Sequence, residues 1–318
     1  MFNHVLLQFE SYFIVRVNIG EKMLKRLLFS ALFLISLSQV HATVKLQQSL
    51  TTLKQKLGYL SGVLVNMKGA TKAPQHGNDI YITLVEFHIT DLKFQTPVQA
   101  AIVNAANDGL WAGGGVCGAI FSAADREDNG SEKMQDECNA FTTSPKCPTG
   151  EARITRSYGI SKNSGAHYVI HAVGPSGGSD AERKKDLESA YRFSLQVADD
   201  PNSYKSPLIK TTIPNITQIA FPGISTAIFK KSGQSQEDAF KEASPIAVHA
   251  ILDYVKNKKT KVKEIYMIAY PDMSFEYDRM KEVLVDLVQD KRLVATPYAS
   301  DEKQPQSKRP ALRFKIIK

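Results

Sequence analysis

Cysteine, zinc-type spacings and long apolar runs are all scarce in this sequence, and each shortage removes a class of protein. Three cysteines occur in 318 residues, Cys117, Cys138 and Cys147. An odd set this small closes at most one pair, so a disulfide-stapled scaffold is excluded. No Cys-x-x-Cys pair exists, and His88, His167, His171 and His249 do not stand at ligand spacing, so no metal site is expected. The apolar run 27–37 is broken by Ser30 and Ser36 and is too short to span a membrane. No Gly-Lys-Ser/Thr follows the glycine cluster at 113–115, which counts against a nucleotide-hydrolysing phosphate loop.

An excess of charge in the body of the chain is also missing, although the formal net charge is +8. Of the 40 Lys and Arg, four lie in 1–42 and eight in 291–318, which leaves 28 against 28 acidic residues between them. The central part is therefore neutral and is not expected to bind nucleic acid. The excess sits at the ends. Residues 291–318 combine the basic side chains with Pro297, Pro305 and Pro310 and are expected to be a disordered tail.

What is present divides the chain further. Lys25-Arg26, the apolar run 27–37 and Val40-His41-Ala42 match the charged, apolar and small-residue regions of a secretory signal, with Met23 as the expected start. Residues 1–42 are thus expected to be a leader, cleaved on export to a periplasmic or secreted location. Leu46, Leu50, Leu53, Leu57 and Leu60 repeat at helical spacing within 43–69, and residues 68–78, with two glycines and Pro74, are expected to be a linker.

Beyond the linker, short apolar runs alternate with amphipathic ones. Strands are expected at 80–86, 101–103, 152–156, 168–173, 218–221 and 264–269, and helices at 116–126, 131–141, 180–198, 236–256 and 275–290. Ser179 with Glu182 three residues on forms a capping box for one helix, and Ser244-Pro245 should restart or bend another. The alternation implies an α/β fold with a mainly parallel sheet covered on both faces. Ligands in such sheets bind beyond the carboxyl ends of the strands.

One segment lies where such a ligand would sit. Ile102-Val103-Asn104-Ala105-Ala106-Asn107 reads as a buried strand ending in two asparagines. Gly113-Gly114-Gly115-Val116-Cys117-Gly118-Ala119-Ile120 then reads as a tight turn entering a helix. Glycines allow close backbone approach, and the unpaired N–H groups of a helix start carry partial positive charge, so the pocket suits a phosphate. Asn104 and Asn107 can either satisfy loop backbone or hold a ligand hydroxyl.

Downstream stand Cys147-Pro148-Thr149-Gly150-Glu151-Ala152-Arg153-Ile154-Thr155, Tyr168-Val169-Ile170-His171-Ala172-Val173-Gly174-Pro175, and Ile219-Ala220-Phe221-Pro222-Gly223-Ile224-Ser225-Thr226-Ala227-Ile228-Phe229. In this order the four segments resemble the macro domain family, whose members bind ADP-ribose and in some branches hydrolyse it from proteins. The resemblance covers 79–290. It implies a three-layer α/β/α fold with a mainly parallel mixed sheet, a monomer, no cofactor, and ADP-ribose or a mono-ADP-ribosylated protein as partner.

By the same resemblance Asn107 holds the terminal ribose and is the expected catalytic residue. Asn104, Ala106, Gly113, Gly114, Gly115, Val116 and Cys117 line the first phosphate loop. Ser225, Thr226, Ala227, Ile228 and Phe229 form the second, with Phe229 flanking the ribose. Ile89 and Tyr270 lie at the base, Tyr270 either as a stacking platform or as core. Cys138 and Cys147 commonly occur reduced in the family, and 147–155, His171 and Gly174-Pro175 look structural.

Three positions depart from the family pattern. Cys117 stands where one hydrolase branch has an aspartate proposed to activate water, and a thiol replaces a carboxylate poorly. Ala227 and Lys230 replace glycines, and alanine is strained if its φ is positive. His88 occupies the place of the aspartate that receives the adenine amino group, so either Asp91 shifts in or stacking dominates. The functions in play are a hydrolase removing mono-ADP-ribose from acidic side chains, an ADP-ribose reader without turnover, and a binder of another phosphorylated nucleotide.

Overall fold

A computed structural model describes residues 79–94, 99–296, 298 and 307–318. The expected leader (1–42) and the helix with its linker (43–78) lie outside the described residues. The elements run β1 (Tyr81–Glu86), β2 (Ala100–Ala106), α1 (Gly115–Ala124), α2 (Gly130–Asn139), β3 (Ala152–Arg156), α3 (Ile160–Ser164), β4 (Tyr168–Val173) and α4 (Asp180–Asp199). They continue with β5 (Gln218–Phe221), α5 (Gln236–Asn257), β6 (Glu264–Ala269), α6 (Ser274–Gln289), β7 (Leu293–Ala295) and β8 (Leu312–Ile316).

The strands form one sheet in the order β3-β4-β2-β5-β6-β1-β8-β7. The five strands from β4 to β1 are mutually parallel, whereas β3, β8 and β7 join antiparallel. Side chains alternate across the pleat. Ile82, Leu84 and Val103 pack one way, with Leu187 and Tyr191 of α4, Val248 and Ile251 of α5, and Leu284 of α6. Val85, Ile102 and Val169 pack the other way, with Ile120 and Phe121 of α1, Met134 of α2 and Ile160 of α3. Two apolar layers on one sheet make the expected three-layer α/β/α architecture.

Local chemistry accounts for the helix boundaries. The Ser179 side chain accepts the Glu182 backbone N–H while the Glu182 side chain accepts the Ser179 N–H, so the capping box forms and α4 begins there. Ser235 caps α5 by accepting the Asp238 N–H at 3.0 Å. Pro245 does not restart this helix, which runs unbroken from Gln236 to Asn257. The buried neighbour Ser244 donates its hydroxyl to the Phe240 carbonyl at 2.6 Å within the same helix.

The C-terminal residues correct the expectation of a disordered basic tail. β8 adds to the sheet beside β1 and β7 pairs with it, so the folded unit continues past residue 290. Leu312, Phe314 and Ile316 enter the core, and the intervening Arg313 is buried. Its guanidinium pairs with Glu264 and lies 3.9 Å from the centroid of the Tyr81 ring. The signal was a five-residue apolar alternation hidden inside a proline- and lysine-rich composition.

Candidate functional site

The carboxyl ends of β1, β2, β4, β5 and β6 lie along one edge of the sheet, and the expected ligand loops emerge from them. β2 buries Asn104 and Ala106, and Asn107, the residue after its end, is half-buried. The Asn107 amide is tied to the loop it begins. Its Nδ2 donates to the Trp111 carbonyl at 2.9 Å, and its Oδ1 accepts the Trp111 N–H at 3.1 Å. From α2, Gln135 clamps the same loop, accepting the Ala112 N–H at 2.9 Å and donating to the Leu110 carbonyl at 3.1 Å.

Gly113, Gly114 and Gly115 follow, all exposed, and Gly115 takes φ +60°, a conformation that favours glycine. No side chain caps α1. The first-turn N–H groups of Val116 and Cys117 therefore have no side-chain acceptor, and they lie at the positive end of the helix dipole. Cys117 itself is packed, 4% exposed, in the apolar layer beneath α1.

The second loop leaves β5 and is held from behind. Tyr191 of α4 donates its hydroxyl to the Pro222 carbonyl and accepts the Ile224 N–H, both at 3.2 Å. Thr226 is buried and donates to the Gly223 carbonyl at 3.1 Å. Arg183 donates to the Phe229 carbonyl at 2.9 Å. The positive φ falls on Ser225, at 59°, and Ala227 is not among the positive-φ residues, so the expected strain at the alanine is absent. Gly174 at the end of β4 makes room for this geometry, since a Cβ there would sit 2.3 Å from Ser225 Oγ.

The two loops face each other. Ile228 is 63% exposed, and a Cβ on Gly114 would come within 3.1 Å of its Cδ1. Phe229 and Lys230 are half-buried beside it. Lys231, one residue on, is held by Asp180 at 2.8 Å and Glu242 at 2.7 Å.

At the other end, His88 and Tyr270 meet edge to face with centroids 5.1 Å apart, and Tyr270 is 41% exposed, as a platform requires and a core residue does not. Asp91 does not move in to replace the missing acid, because it pairs with Arg126 at 2.8 Å. Ile89 is buried in the apolar layer rather than open to the cleft. Glu276 of α6, which the sequence reading missed, accepts the Tyr270 N–H at 2.7 Å. Burial pushes its carboxyl up to about 7, against the lowering effect of that hydrogen bond. Its sequence signal, one acidic residue in a first helical turn, is too common to single it out.

Asn104 is placed behind the cleft. It is fully buried, and its Nδ2 reaches Cys117 Sγ at 3.4 Å and His171 Nδ1 at 3.0 Å. Among the described residues all three cysteines are free and buried, and no cluster of three or more His, Cys, Asp or Glu could hold a metal. Burial pushes the Cys147 thiol up to about 12 and that of Cys138 upward as well, so both are inert at neutral pH. No helix among the described residues is long and apolar enough to cross a membrane.

Comparison with known proteins gives the same picture. A family model described as the macro domain matches residues 103–240. A macro domain-containing protein of Methanosarcina mazei is 40% identical over 173 residues, which is 54% of this chain and 73% of the relative. An O-acetyl-ADP-ribose deacetylase of Escherichia fergusonii is 36% identical over 173 residues, 54% of this chain and 80% of the relative. Among solved structures, the Oceanobacillus iheyensis macrodomain with ADP superposes with a TM-score of 0.52 at 25% identity, covering 68% of this chain and 96% of that one.

Proposed function

The chain belongs to the macro domain family, and on that premise we propose that it binds ADP-ribose along the carboxyl edge of its sheet. The observation that carries the reading is the pair of facing loops. The uncapped start of α1 supplies backbone N–H donors, and the Ile228 tip closes over Gly114 opposite them. A diphosphate between the loops meets the backbone donors of the uncapped helix start. Tyr270 then offers a ring face to the adenine, and Asn107 lies at the far end for the terminal ribose. Calorimetry is expected to give a micromolar dissociation constant for ADP-ribose, on the order of −8 kcal/mol. No heat of binding at millimolar ligand would remove the proposal.

At a finer level we propose that the protein removes mono-ADP-ribose from acidic side chains. Water cleaves the bond joining the carboxyl to the ribose and releases the free carboxyl group and ADP-ribose. Each atom of the Asn107 amide keeps one site after its bond to Trp111, because Nδ2 carries a second proton and Oδ1 a second lone pair. Those sites suit a ribose hydroxyl, so Asn107 would orient the sugar for attack. The relative named as a deacetylase of O-acetyl-ADP-ribose lends support, since an acyl ester of ADP-ribose is chemically close to a ribosyl-carboxylate link.

The second reading is an ADP-ribose reader without turnover. It is favoured by the buried thiol of Cys117, which puts no carboxylate near the ribose end. An assay on a mono-ADP-ribosylated protein separates the two, because the hydrolase releases ADP-ribose with turnover and the reader retains the modified protein. Residues 1–42 are proposed to direct export with cleavage near Thr43. Recovery of the exported protein with these residues attached would reject that part.

A further inference from the structure

Asn104 and His171 stand opposite each other in the parallel pairing of β2 with β4, and both are fully buried. Burial pushes the imidazole down to about 3, so the ring is neutral at neutral pH. The Asn104 Nδ2 donates to His171 Nδ1, which leaves the ring proton on Nε2. From there it is given to Thr155 Oγ1 at 2.8 Å, and the Thr155 hydroxyl donates onward to the Arg156 carbonyl at 3.2 Å. In the other direction the same Asn104 nitrogen donates to Cys117 Sγ, and the thiol donates to the Trp111 carbonyl at 3.8 Å. That carbonyl also accepts the Asn107 Nδ2.

A hydrogen-bonded path therefore runs from the interior of β3 to the amide that faces the ribose end of the cleft. The Asn104 amide nitrogen serves two acceptors, while its Oδ1 is buried without a partner. A buried carbonyl left without a partner is costly. A fold that bears that cost has fixed the orientation of this side chain, and the group that fixes it is the imidazole.

We propose that His171 is a positioning residue for the terminal-ribose subsite, holding Asn107 in register through Asn104, Cys117 and the Trp111 carbonyl. This rests on the reading above that Asn107 meets the terminal ribose of ADP-ribose. His171 touches no ligand. Its effect falls on the part of the ligand that ADP lacks, because the second diphosphate loop is held by other partners, Tyr191, Thr226 and Arg183, and the first is also clamped by Gln135.

The test is calorimetry with ADP and with ADP-ribose on the full chain, comparing wild type with His171→Leu, His171→Asn and Thr155→Val. Wild type should bind ADP-ribose more tightly than ADP. His171→Leu should keep the ADP affinity within about threefold and lose about tenfold for ADP-ribose, about 1.4 kcal/mol. His171→Asn retains an acceptor at the Nδ1 position and should restore the ratio. Thr155→Val removes the nearer of the two partners of Nε2, leaving Cys138 Sγ at 3.8 Å, and should lower the ratio about threefold. Trp111 is the single tryptophan, so the emission of ligand-free His171→Leu should shift while that of His171→Asn does not.

An unchanged ratio in His171→Leu overturns the inference, as does an equal loss for both ligands, which would mark a merely structural histidine. If His171→Leu does not fold, the other two variants decide. A wild-type ratio in His171→Asn together with a lowered ratio in Thr155→Val then supports the proposal, and a wild-type ratio in Thr155→Val overturns it. Failure of wild type to bind either ligand would instead refute the proposed function.

Discussion

The two ends of the cleft are built by different means. At the ribose and phosphate end, between β2, β4 and β5, the loops are tied to the body by the Asn107 amide, Gln135, Tyr191, Thr226 and Arg183. At the base end, between β1 and β6, a half-exposed ring pair leans on one buried carboxyl. Backbone donors held by the fold need no reordering when a ligand arrives, whereas a partly exposed ring gives up freedom and provides little direction. Affinity and specificity should therefore concentrate at the phosphate and ribose end, with the base held by stacking.

The sharpest break of that asymmetry is at Asn107. In an assay on a mono-ADP-ribosylated protein, Asn107→Ala should lower turnover by about a hundredfold or more while ADP binds within about threefold of wild type, because the diphosphate contacts remain. A variant that loses ADP affinity and turnover together would make Asn107 a loop anchor only.

The next largest effect belongs to Gly174→Ala. The added Cβ would meet Ser225 Oγ at 2.3 Å and Ile224 Cγ2 at 2.4 Å, so the second loop must shift. ADP and ADP-ribose should both weaken by at least about tenfold, a loss of about 1.4 kcal/mol. Unchanged titrations would show that this loop does not hold the diphosphate.

At the base end the expected losses are smaller. Tyr270→Ala should weaken ADP-ribose by about three- to tenfold, in keeping with roughly 0.5–1.5 kcal/mol for an aromatic contact. A loss as large as that of Gly174→Ala would invert the comparison.

The smallest effects are on pH dependence, and the two ends have opposite signs. Glu276 is raised in the folded state, so its contribution is present below the ordinary carboxylate range and is lost as pH rises through about 7. His171 is lowered, so its contribution is present above the ordinary imidazole range and is lost as pH falls toward about 3. Thermal denaturation should show Glu276→Gln gaining relative to wild type between pH 5 and pH 8, by on the order of 5 °C. His171→Asn should reduce the loss of stability on acidification below about pH 6. Parallel curves for a variant and wild type would remove that residue from the account.

The split between the two ends also describes what could be read from the chain. The strands β3, β4, β5 and β6 fall where the residue pattern places them, whereas β2, expected at 101–103, runs from Ala100 to Ala106. The Asn107 and glycine loops are contiguous segments, so their chemistry was legible. The pairing of Asn104 with His171 was not, because it depends on the register of two strands 67 residues apart. Glu276 and the β8 strand share that character, since each acquires its role only when a distant element arrives. Ser225 rather than Ala227 takes the left-handed conformation, because the way the loop leaves β5 against Gly174 decides where the turn falls.

On this asymmetry the phosphate and ribose end carries the binding. An affinity series of adenosine, ADP and ADP-ribose on the wild-type chain at one pH and ionic strength tests it most directly. A large gain is expected from adenosine to ADP, of about a hundredfold or about 2.8 kcal/mol, and a further gain to ADP-ribose. Equal affinity for adenosine and ADP-ribose would contradict it.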